Sequence, residues 1–426
     1  MRILLCQIPH LHLGYLGCYG NDWVPTVHLD RLAAEAVVFD QHYSDGGNQE
    51  QSILSGQYAF RPSSTEQQAP IQSWIDKGVR VVQADIEEFP SPNDDKDPWY
   101  ELTQPLKEVG PTLLRIRFPS LAPPWEIADS FLTTFFADEE TEFDPEQEED
   151  HYEEDFEEED FEEKDFEEEM IDDEAFEDTD SDVELEEEIE HPAPLFDPPD
   201  SVPTDAGDVF HERLRLTYAA KITELDEAIG SLRTSLEEQG VLEEIVWVLI
   251  GDNGLSLGEH GYIGTNAPWL NEEHIHRLLL VRLPNGEQHG RRVHALTQAV
   301  DLCPTLAEWF SVDKPDTHGY SLCPVLRGEQ ETLREYVVVS NGPDSSAWAL
   351  RCPDWALLVR DVTEEEREVR LYEKPEDRWE VSDLQQLHLD WCSRLEETLF
   401  QFREATQNVT SFQPPPLPDM EKDEEK

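Results

Sequence analysis

The stretch that decides the fold is Ile245-Val246-Trp247-Val248-Leu249-Ile250-Gly251-Asp252-Asn253-Gly254. Its uninterrupted apolar part is typical of a central strand in a parallel sheet, because such a strand is covered on both faces. The strand ends in a turn sequence that carries a carboxylate and an amide, at Asp252 and Asn253. Functional groups of open parallel sheets gather beyond the carboxyl ends of the strands, so these two residues mark a candidate site.

Helix and strand patterns alternate on both sides of this stretch. Apolar residues at 214–236 recur every three or four positions, which predicts an amphipathic helix that Gly240 ends. Further apolar runs at 3–8 and 278–283 predict strands, and the first stops at Pro9-His10. The alternation predicts an α/β fold, with a mostly parallel central sheet flanked by helices and a smaller C-terminal α+β subdomain.

Composition limits the partners of this chain. Its 426 residues suffice for one large domain and a smaller one. The formal net charge of -66 repels nucleic acids and anionic membrane surfaces, so we expect neither as a partner. Six cysteines occur singly without a CxxC pair, and no apolar run is long enough for a signal peptide or a membrane span. We therefore expect reduced thiols and a cytoplasmic location.

One segment supplies about half of the excess acidic charge. Between residues 138 and 190, 34 of 53 positions are Asp or Glu. Apolar side chains recur there every five residues, and that step does not keep them on one face of a helix. So much like charge predicts a disordered insertion over 138–203. The alternative is a docking segment for a basic protein partner or a binder of divalent cations.

These patterns divide the chain into five parts. Residues 1–137 and 204–335 form the two halves of the α/β domain, and the acidic insertion, 138–203, separates them. Residues 336–412 form the C-terminal subdomain. The Pro- and Glu-rich residues 413–426 are predicted to be a disordered tail.

Four groups of motifs, in this order and spacing, resemble the sulfatase family of the alkaline phosphatase superfamily. They are LGCYGN (16–21) with LDRLAAE (29–35), SILSGQY (52–58), GDNGLSLGEHG (251–261), and DLCPTL (301–306) with LYE (371–373) and WEVSDL (379–384). They cover most of the chain outside the acidic segment and the tail. The resemblance implies the family's fold and its reaction, the hydrolysis of sulfuric esters by a formylglycine nucleophile beside a bound Ca²⁺.

Several positions depart from the family pattern. Counting along the motifs, Pro9 and His10 fall where the family has its pair of aspartate metal ligands. Gly46 falls on the nucleophile and Glu50 on the arginine that braces it, which would invert the local charge and repel an anionic substrate. The resemblance therefore implies a chain that has lost the nucleophile and most of the metal ligands.

Two functions remain open from the sequence. The first is a pseudoenzyme with a binding or scaffolding role, and the second is an active metal-dependent sulfate or phosphate ester hydrolase with a non-standard nucleophile such as Ser44 or Ser52. No cofactor follows from the residues alone. A divalent cation held by His10, Asp252 and Asn253 is the candidate, since the family uses calcium. The alternative is that Asp252 and Asn253 only form a tight turn.

Overall fold

A computed structural model describes residues 1–47, 49–60, 70–90, 96–136, 193–342, 345–363, 366–410 and 412–419. Most of the acidic segment, residues 137–192, lies outside these ranges, as do residues 420–426 of the tail. The prediction that those parts are disordered therefore stays a prediction.

The described strands are β1 Arg2–Pro9, β2 Val37–Phe39, β3 His42–Tyr43, β4 Arg80–Asp85, β5 Thr112–Arg117, β6 Val246–Asp252, β7 Ser256–Leu257, β8 Ile263–Gly264, β9 Leu279–Arg282, β10 Arg292–Val293, β11 Thr297–Gln298, β12 Val337–Ser340, β13 Ala347–Arg351, β14 Trp355–Asp361 and β15 Arg367–Glu373. The α-helices are α1 Val27–Ala34, α2 Gln49–Ser55, α3 Pro70–Asp76, α4 Tyr100–Thr103, α5 Asp129–Phe136, α6 Asp208–Glu238, α7 Glu272–Ile275, α8 Leu302–Trp309, α9 Cys323–Leu326 and α10 Leu389–Ala405.

The central sheet has the strand order β10-β2-β9-β6-β1-β5-β4. β1 pairs in parallel with both β5 and β6, and β4 pairs in parallel with β5. Every residue of β6 is buried, as its apolar run predicts. The other neighbour of β6 is β9, which runs antiparallel and contains the second predicted apolar strand. The prediction of a mostly parallel α/β sheet is confirmed.

Helices cover both faces of this sheet. Leu4 of β1 and Leu249 of β6 pack against Leu225 on one face, where α6 lies. Val248, the neighbour of Leu249, points to the opposite face and belongs to a second cluster with Leu302 of α8. This alternation follows from the period of two residues along a strand. Although α6 spans 31 residues, no helix in the described ranges is long and apolar enough to cross a membrane.

The C-terminal subdomain is built on an antiparallel sheet with the order β12-β13-β14-β15. Helix α10 covers one face of it, where Leu395 and Leu399 join Leu350 and Leu357 in one apolar cluster. This arrangement confirms the predicted smaller α+β subdomain. The six cysteines of the chain are free thiols, also as expected.

Two stretches beside the predicted disordered regions pack on the folded domain. The carbonyl of Phe196 accepts a hydrogen bond of 2.8 Å from the Trp125 N–H, and Val202 N–H donates to Gly261 at 3.0 Å. In the tail, the Pro415 carbonyl accepts from the Tyr336 hydroxyl at 2.6 Å. Residues 193–203 and 413–419 therefore belong to the described structure, although composition assigned them to the acidic insertion and the tail.

Asp226 of α6 joins that helix to the start of α1. Its two carboxylate oxygens accept hydrogen bonds from the backbone N–H groups of His28, at 3.0 Å, and Leu29, at 2.7 Å. These N–H groups lie in the first turn of α1, where no intrahelical acceptor exists. Asp226 itself is 3% exposed, so water does not replace it.

We predict that Asp226→Ala lowers the free energy of unfolding by about 1–2 kcal/mol, because it leaves two donors in the first turn of α1 without an acceptor. Urea unfolding followed by circular dichroism measures the change. Glu238→Ala, an exposed substitution at the end of the same helix, is the control and should change little. Equal losses for the two variants would contradict the role of Asp226.

Candidate functional site

The carboxyl ends of β1 and β6 lie side by side. Pro9 is in register with Asp252, and the His10 N–H donates to the Asp252 carbonyl at 2.6 Å. His10 and Asn253 both adopt positive φ angles, 62° and 50°, because the chain turns sharply after each strand. The structure therefore brings together the three residues that the sequence proposed as a cation site.

A cavity of about 270 Å³ opens at this edge of the sheet. The residues that line it are His10, Ser44, Gly46, Gly47, Asn253, Gly254, Thr265, His274, Arg277, Val339 and Asn341. Among these lining residues there is no Asp or Glu, although the chain has a net charge of -66. Arg277 carries the formal charge of the lining.

Gly46, which the motifs align with the family nucleophile, has no room for a side chain. A Cβ added there would overlap the backbone carbonyl of Ser340, the last residue of β12. Its φ is 84°, a left-handed conformation that favours glycine, and its N–H donates to the Ser44 Oγ at 2.9 Å. The end of the C-terminal sheet therefore fills the space that a nucleophile at position 46 would need.

Glu50, which the motifs align with an arginine of the family, forms an ion pair with an arginine of β5. Its Oε1 lies 2.9 Å from Nη2 of Arg115, a side chain of β5 that is 4% exposed. The same nitrogen donates to the Gln7 Oε1 at 3.0 Å. This pairing compensates the charge of Glu50, which does not line the cavity. The repulsion of anions expected from Glu50 is therefore reduced. Sequence reasoning missed Arg115 as the partner of Glu50, because the two residues lie 65 positions apart in the chain.

Asp252 lies behind the cavity rather than in its lining. Its side chain is 5% exposed, with Oδ2 3.5 Å from Nη2 of Arg117. Its Oδ1 is buried and has no hydrogen-bond partner in the described part of the chain. Burial raises the pKa of Asp252, while the positive charges of Arg117 and Arg277 oppose that shift.

These residues do not fit a calcium-type metal site. Calcium takes six to eight oxygen ligands, roughly, and needs several carboxylates at one point. The described ranges contain no group of three or more His, Cys, Asp or Glu residues that could hold a metal ion. The carboxylate of Asp252 is accompanied by guanidinium groups, and the His10 Nδ1 is hydrogen-bonded to Ser120 Oγ at 2.8 Å. Positive charge next to the carboxylate of Asp252 disfavours a cation there.

Arg277 is the main feature that sequence reasoning missed. Its side chain is almost fully buried, at 1% exposure, and Nη1 donates to the His276 carbonyl at 2.9 Å. Its Nε has no hydrogen-bond partner in the ranges that the structure describes. Burial lowers the pKa of Arg277 to about 9, so the guanidinium remains protonated at pH 7. The signal in the sequence is an arginine directly before the apolar residues 278–283.

The two histidines of the lining are neutral near pH 7. Burial lowers the pKa of His274 to about 4, and burial with the charge of Arg277 does the same for His10. The His274 Nε2 lies 2.6 Å from Ser256 Oγ, which in turn donates to Glu273 Oε1 at 3.2 Å. This chain of contacts fixes the orientation of the His274 ring.

Asp45 is a second buried carboxyl group that the sequence did not reveal. It is 0% exposed, and neither of its carboxyl oxygens has a partner within normal hydrogen-bond geometry among the described residues. Burial raises the pKa of Asp45 to about 8, and the nearby charges of Asp301 and Asp252 act in the same direction. Asp45 is therefore mostly protonated at neutral pH.

We predict that Asp45→Asn weakens the pH dependence of stability. Because the folded pKa of Asp45 is about 8, above the value in an unfolded chain, its contribution is full at acidic pH and is lost as pH rises towards 8. Urea unfolding at pH 5 and at pH 8.5 should show a smaller loss for the variant than for the wild type. The exposed Asp22→Asn is the control, and an unchanged slope in Asp45→Asn would contradict the prediction.

The comparisons with known proteins agree with this architecture. A family model described as Sulfatase matches residues 137–312. The matched stretch is similar to the sulfatase family, and the relatives and solved structures below support the same family. That family is part of the alkaline phosphatase superfamily, as the motifs indicated. In solved structures, the sulfatase-type fold of this chain is similar to the phosphonate monoester hydrolase of Agrobacterium radiobacter, with a TM-score of 0.66, 14% identity and coverage of 95% of this chain and 96% of the other.

A curated sulfatase and a curated protein of the alkaline phosphatase superfamily are similar to this chain over shorter stretches. The N-acetylglucosamine-6-O-sulfatase of Bacteroides thetaiotaomicron is 34% identical over 120 residues, 28% of this chain and 21% of the relative. The multifunctional alkaline phosphatase superfamily protein PehA of Trinickia caryophylli is 29% identical over 127 residues, 29% of this chain and 23% of the relative. The matched part of this chain thus spans about a fifth of the length of these curated relatives.

Proposed function

We propose that this sulfatase-family protein does not hydrolyse esters and acts through binding, as a pseudoenzyme with a scaffolding role. The observation that carries the proposal is the close approach of Ser340 to Gly46. The family reaction needs an attacking side chain at that position, and the backbone of β12 takes up its space. Replacement of a single residue therefore cannot restore the nucleophile.

The neighbouring serines are poor substitutes. Ser44 lines the cavity, but its Oγ accepts from the Gly46 N–H, and no His or carboxylate side chain among the described residues is hydrogen-bonded to it. Ser52 is fully buried and does not line the cavity. A serine nucleophile requires a base within hydrogen-bond reach to remove its proton. This geometry favours the pseudoenzyme over an active hydrolase with a non-standard nucleophile.

The scaffolding role is assigned to the acidic segment. Helix α5 packs on α6 before that segment begins, and Arg213 of α6 binds the Ala193 carbonyl at 2.6 Å where the described chain resumes. Both ends of the segment are therefore anchored to the same helix. A segment with 34 acidic residues among 53 positions attracts a basic protein surface or divalent cations at long range. Six free thiols are in keeping with the cytoplasm as the proposed location.

We predict no turnover of 4-nitrophenyl sulfate or 4-nitrophenyl phosphate by the purified protein with Ca²⁺, Mg²⁺, Mn²⁺ or Zn²⁺ added. Gly46→Cys should not gain activity and should unfold at a lower temperature, because its Cβ overlaps Ser340. Gly78→Cys is the matched control, since Gly78 also has a positive φ, 89°, but has nothing within 4 Å of an added Cβ. Metal-dependent turnover that disappears in Asp252→Ala would contradict the pseudoenzyme.

We predict that deletion of residues 138–192 removes binding to a basic partner while the rest of the chain stays folded. Poly-lysine serves as the probe, and its binding is measured by titration calorimetry at two salt concentrations, because attraction between exposed charges weakens with salt. Circular dichroism and the thermal midpoint report the fold. Retention of poly-lysine binding by the deletion variant would show that the segment does not carry the interaction.

A further inference from the structure

A second cavity, here named the α6 groove, lies between α6 and the loops that follow β4 and β5. Its walls come from residues 87–89, from residues between 119 and 128, and from Lys221 and Glu224 of α6. Its volume is about 550 Å³, within the range of roughly 300–1,000 Å³ that is typical of ligand sites. The described lining residues of this groove and of the cavity at His10 do not overlap.

Apolar side chains form much of the wall of the α6 groove. Phe89, Pro123 and Ile127 line it and are half-buried, so each keeps part of its surface open to the solvent. Surface of this kind packs against the aliphatic part of a long charged side chain. The wall is therefore suited to the stem of a lysine or an arginine.

Three glutamates give the α6 groove its negative charge. Among the described lining residues the basic side chain is Lys221, and it is paired with Glu224, Nζ to Oε2, at 2.6 Å. The exposed Glu87, Glu88 and Glu126 have no further basic residue in this lining to pair with. The groove therefore attracts a cation.

Lys221 indicates how an ammonium group is held at this place. Its side chain is 9% exposed, its Nζ donates to the Glu126 carbonyl at 2.7 Å, and Nζ lies 4.8 Å from the centroid of the Phe89 ring. A carboxylate, a carbonyl and an aromatic face together stabilise a cation. Because Glu224 balances the charge of Lys221, the exposed glutamates remain available to a cation from outside.

The cation that suits the α6 groove is a basic side chain rather than a metal ion. Divalent ions such as calcium need several oxygen ligands at one point. The described ranges contain no group of three or more His, Cys, Asp or Glu residues that could hold a metal ion. A lysine or an arginine instead uses the carboxylates at the rim and the apolar wall together.

Both ends of the acidic segment adjoin the α6 groove. Helix α5, which leads into the segment, begins directly after Ala128 of the lining. Where the described chain resumes, the Leu195 N–H donates to the Thr217 Oγ1 at 2.9 Å, and Thr217 lies one turn before Lys221 on α6. A basic partner that the acidic segment attracts is thereby brought beside the groove.

We propose that the α6 groove binds a lysine or arginine side chain of the basic protein partner that the acidic segment attracts. The proposal rests on the proposed function and deepens it, because it names the side chain that the folded domain recognises. The exposed carboxylates provide the attraction, and the apolar wall fits the stem of the bound side chain.

Photo-cross-linking of the full-length protein locates the bound side chain. The probe is acetylated tetralysine with one diazirine-bearing residue, and mass spectrometry of the digested protein maps the adducts. We expect adducts on peptides that contain residues 87–89 or 119–128, in addition to those on the acidic segment. High salt should reduce them, because the attraction between exposed charges is screened.

Ala128→Arg tests the α6 groove with one substitution. It places a positive charge and a long side chain at an exposed residue of the lining, so adducts at the groove should fall by about threefold or more. Ala34→Arg is the matched control, because it makes the same change at the exposed last residue of α1 and should leave the adducts unchanged. Equal adduct yields in the two variants would overturn the proposal.

Glu88→Gln combined with Glu126→Gln removes two exposed carboxylates of the lining without a change in size. Adducts at the groove should decrease, and the thermal midpoint should stay the same. Glu101→Gln combined with Glu238→Gln removes two exposed charges outside the groove and controls for net charge. Undiminished adducts in the first double variant would contradict the role of the glutamates.

The remaining outcomes separate this proposal from the proposed function. Adducts confined to the acidic segment would overturn the groove alone, and ester turnover would overturn the pseudoenzyme alone. The absence of any adduct would overturn both the groove and the role of the segment as a binder of basic partners. Displacement of the probe by spermine at a lower concentration than by unlabelled tetralysine would overturn a protein as the occupant.

Discussion

The parallel pairing of β1 with β6 is the constraint on which the site depends. The two strands share a register that ends with Pro9 beside Asp252, and each strand is followed by a sharp turn at the same edge of the sheet. The pairing persists because both strands are buried on both faces, so a shift in register would expose apolar side chains along their whole length.

The second determinant is the contact between the two sheets at Gly46. In the sulfatase-type arrangement this position precedes α2 and faces the end of β12. Once the carbonyl of Ser340 occupies the space beside Gly46, only glycine is compatible with the contact. The C-terminal subdomain thus takes part in closing the site, and packing against Ser340 as well as residue type leaves no side chain at position 46.

Charge in this protein is segregated rather than uniform. The surface and the acidic segment carry the large negative excess, while the lining of the cavity has no carboxylate and one arginine. Asp252 persists at the strand end but is withdrawn from the lining and accompanied by guanidinium groups. A cation therefore meets like charge where the family's metal would sit.

The sequence by itself determined the fold class, because an apolar run such as residues 246–250 and the helical period of α6 are local patterns with few solutions. It also predicted that Gly46 and Glu50 stand in the positions of the family's reactive residues, since the motifs allow the positions to be counted. The sequence also predicted that His10, Asp252 and Asn253 lie close together, because they occur where two predicted parallel strands end.

Only the tertiary structure decided what these residues do. The overlap of Ser340 with position 46, the pairing of Glu50 with Arg115 and the burial of Arg277 all join residues that are distant in the chain. Such contacts depend on how the elements pack, and the ionisation of Asp45 depends on the resulting loss of water. Residue type and order specify the strands, but the chemistry of the cavity arises from what those strands bring next to one another.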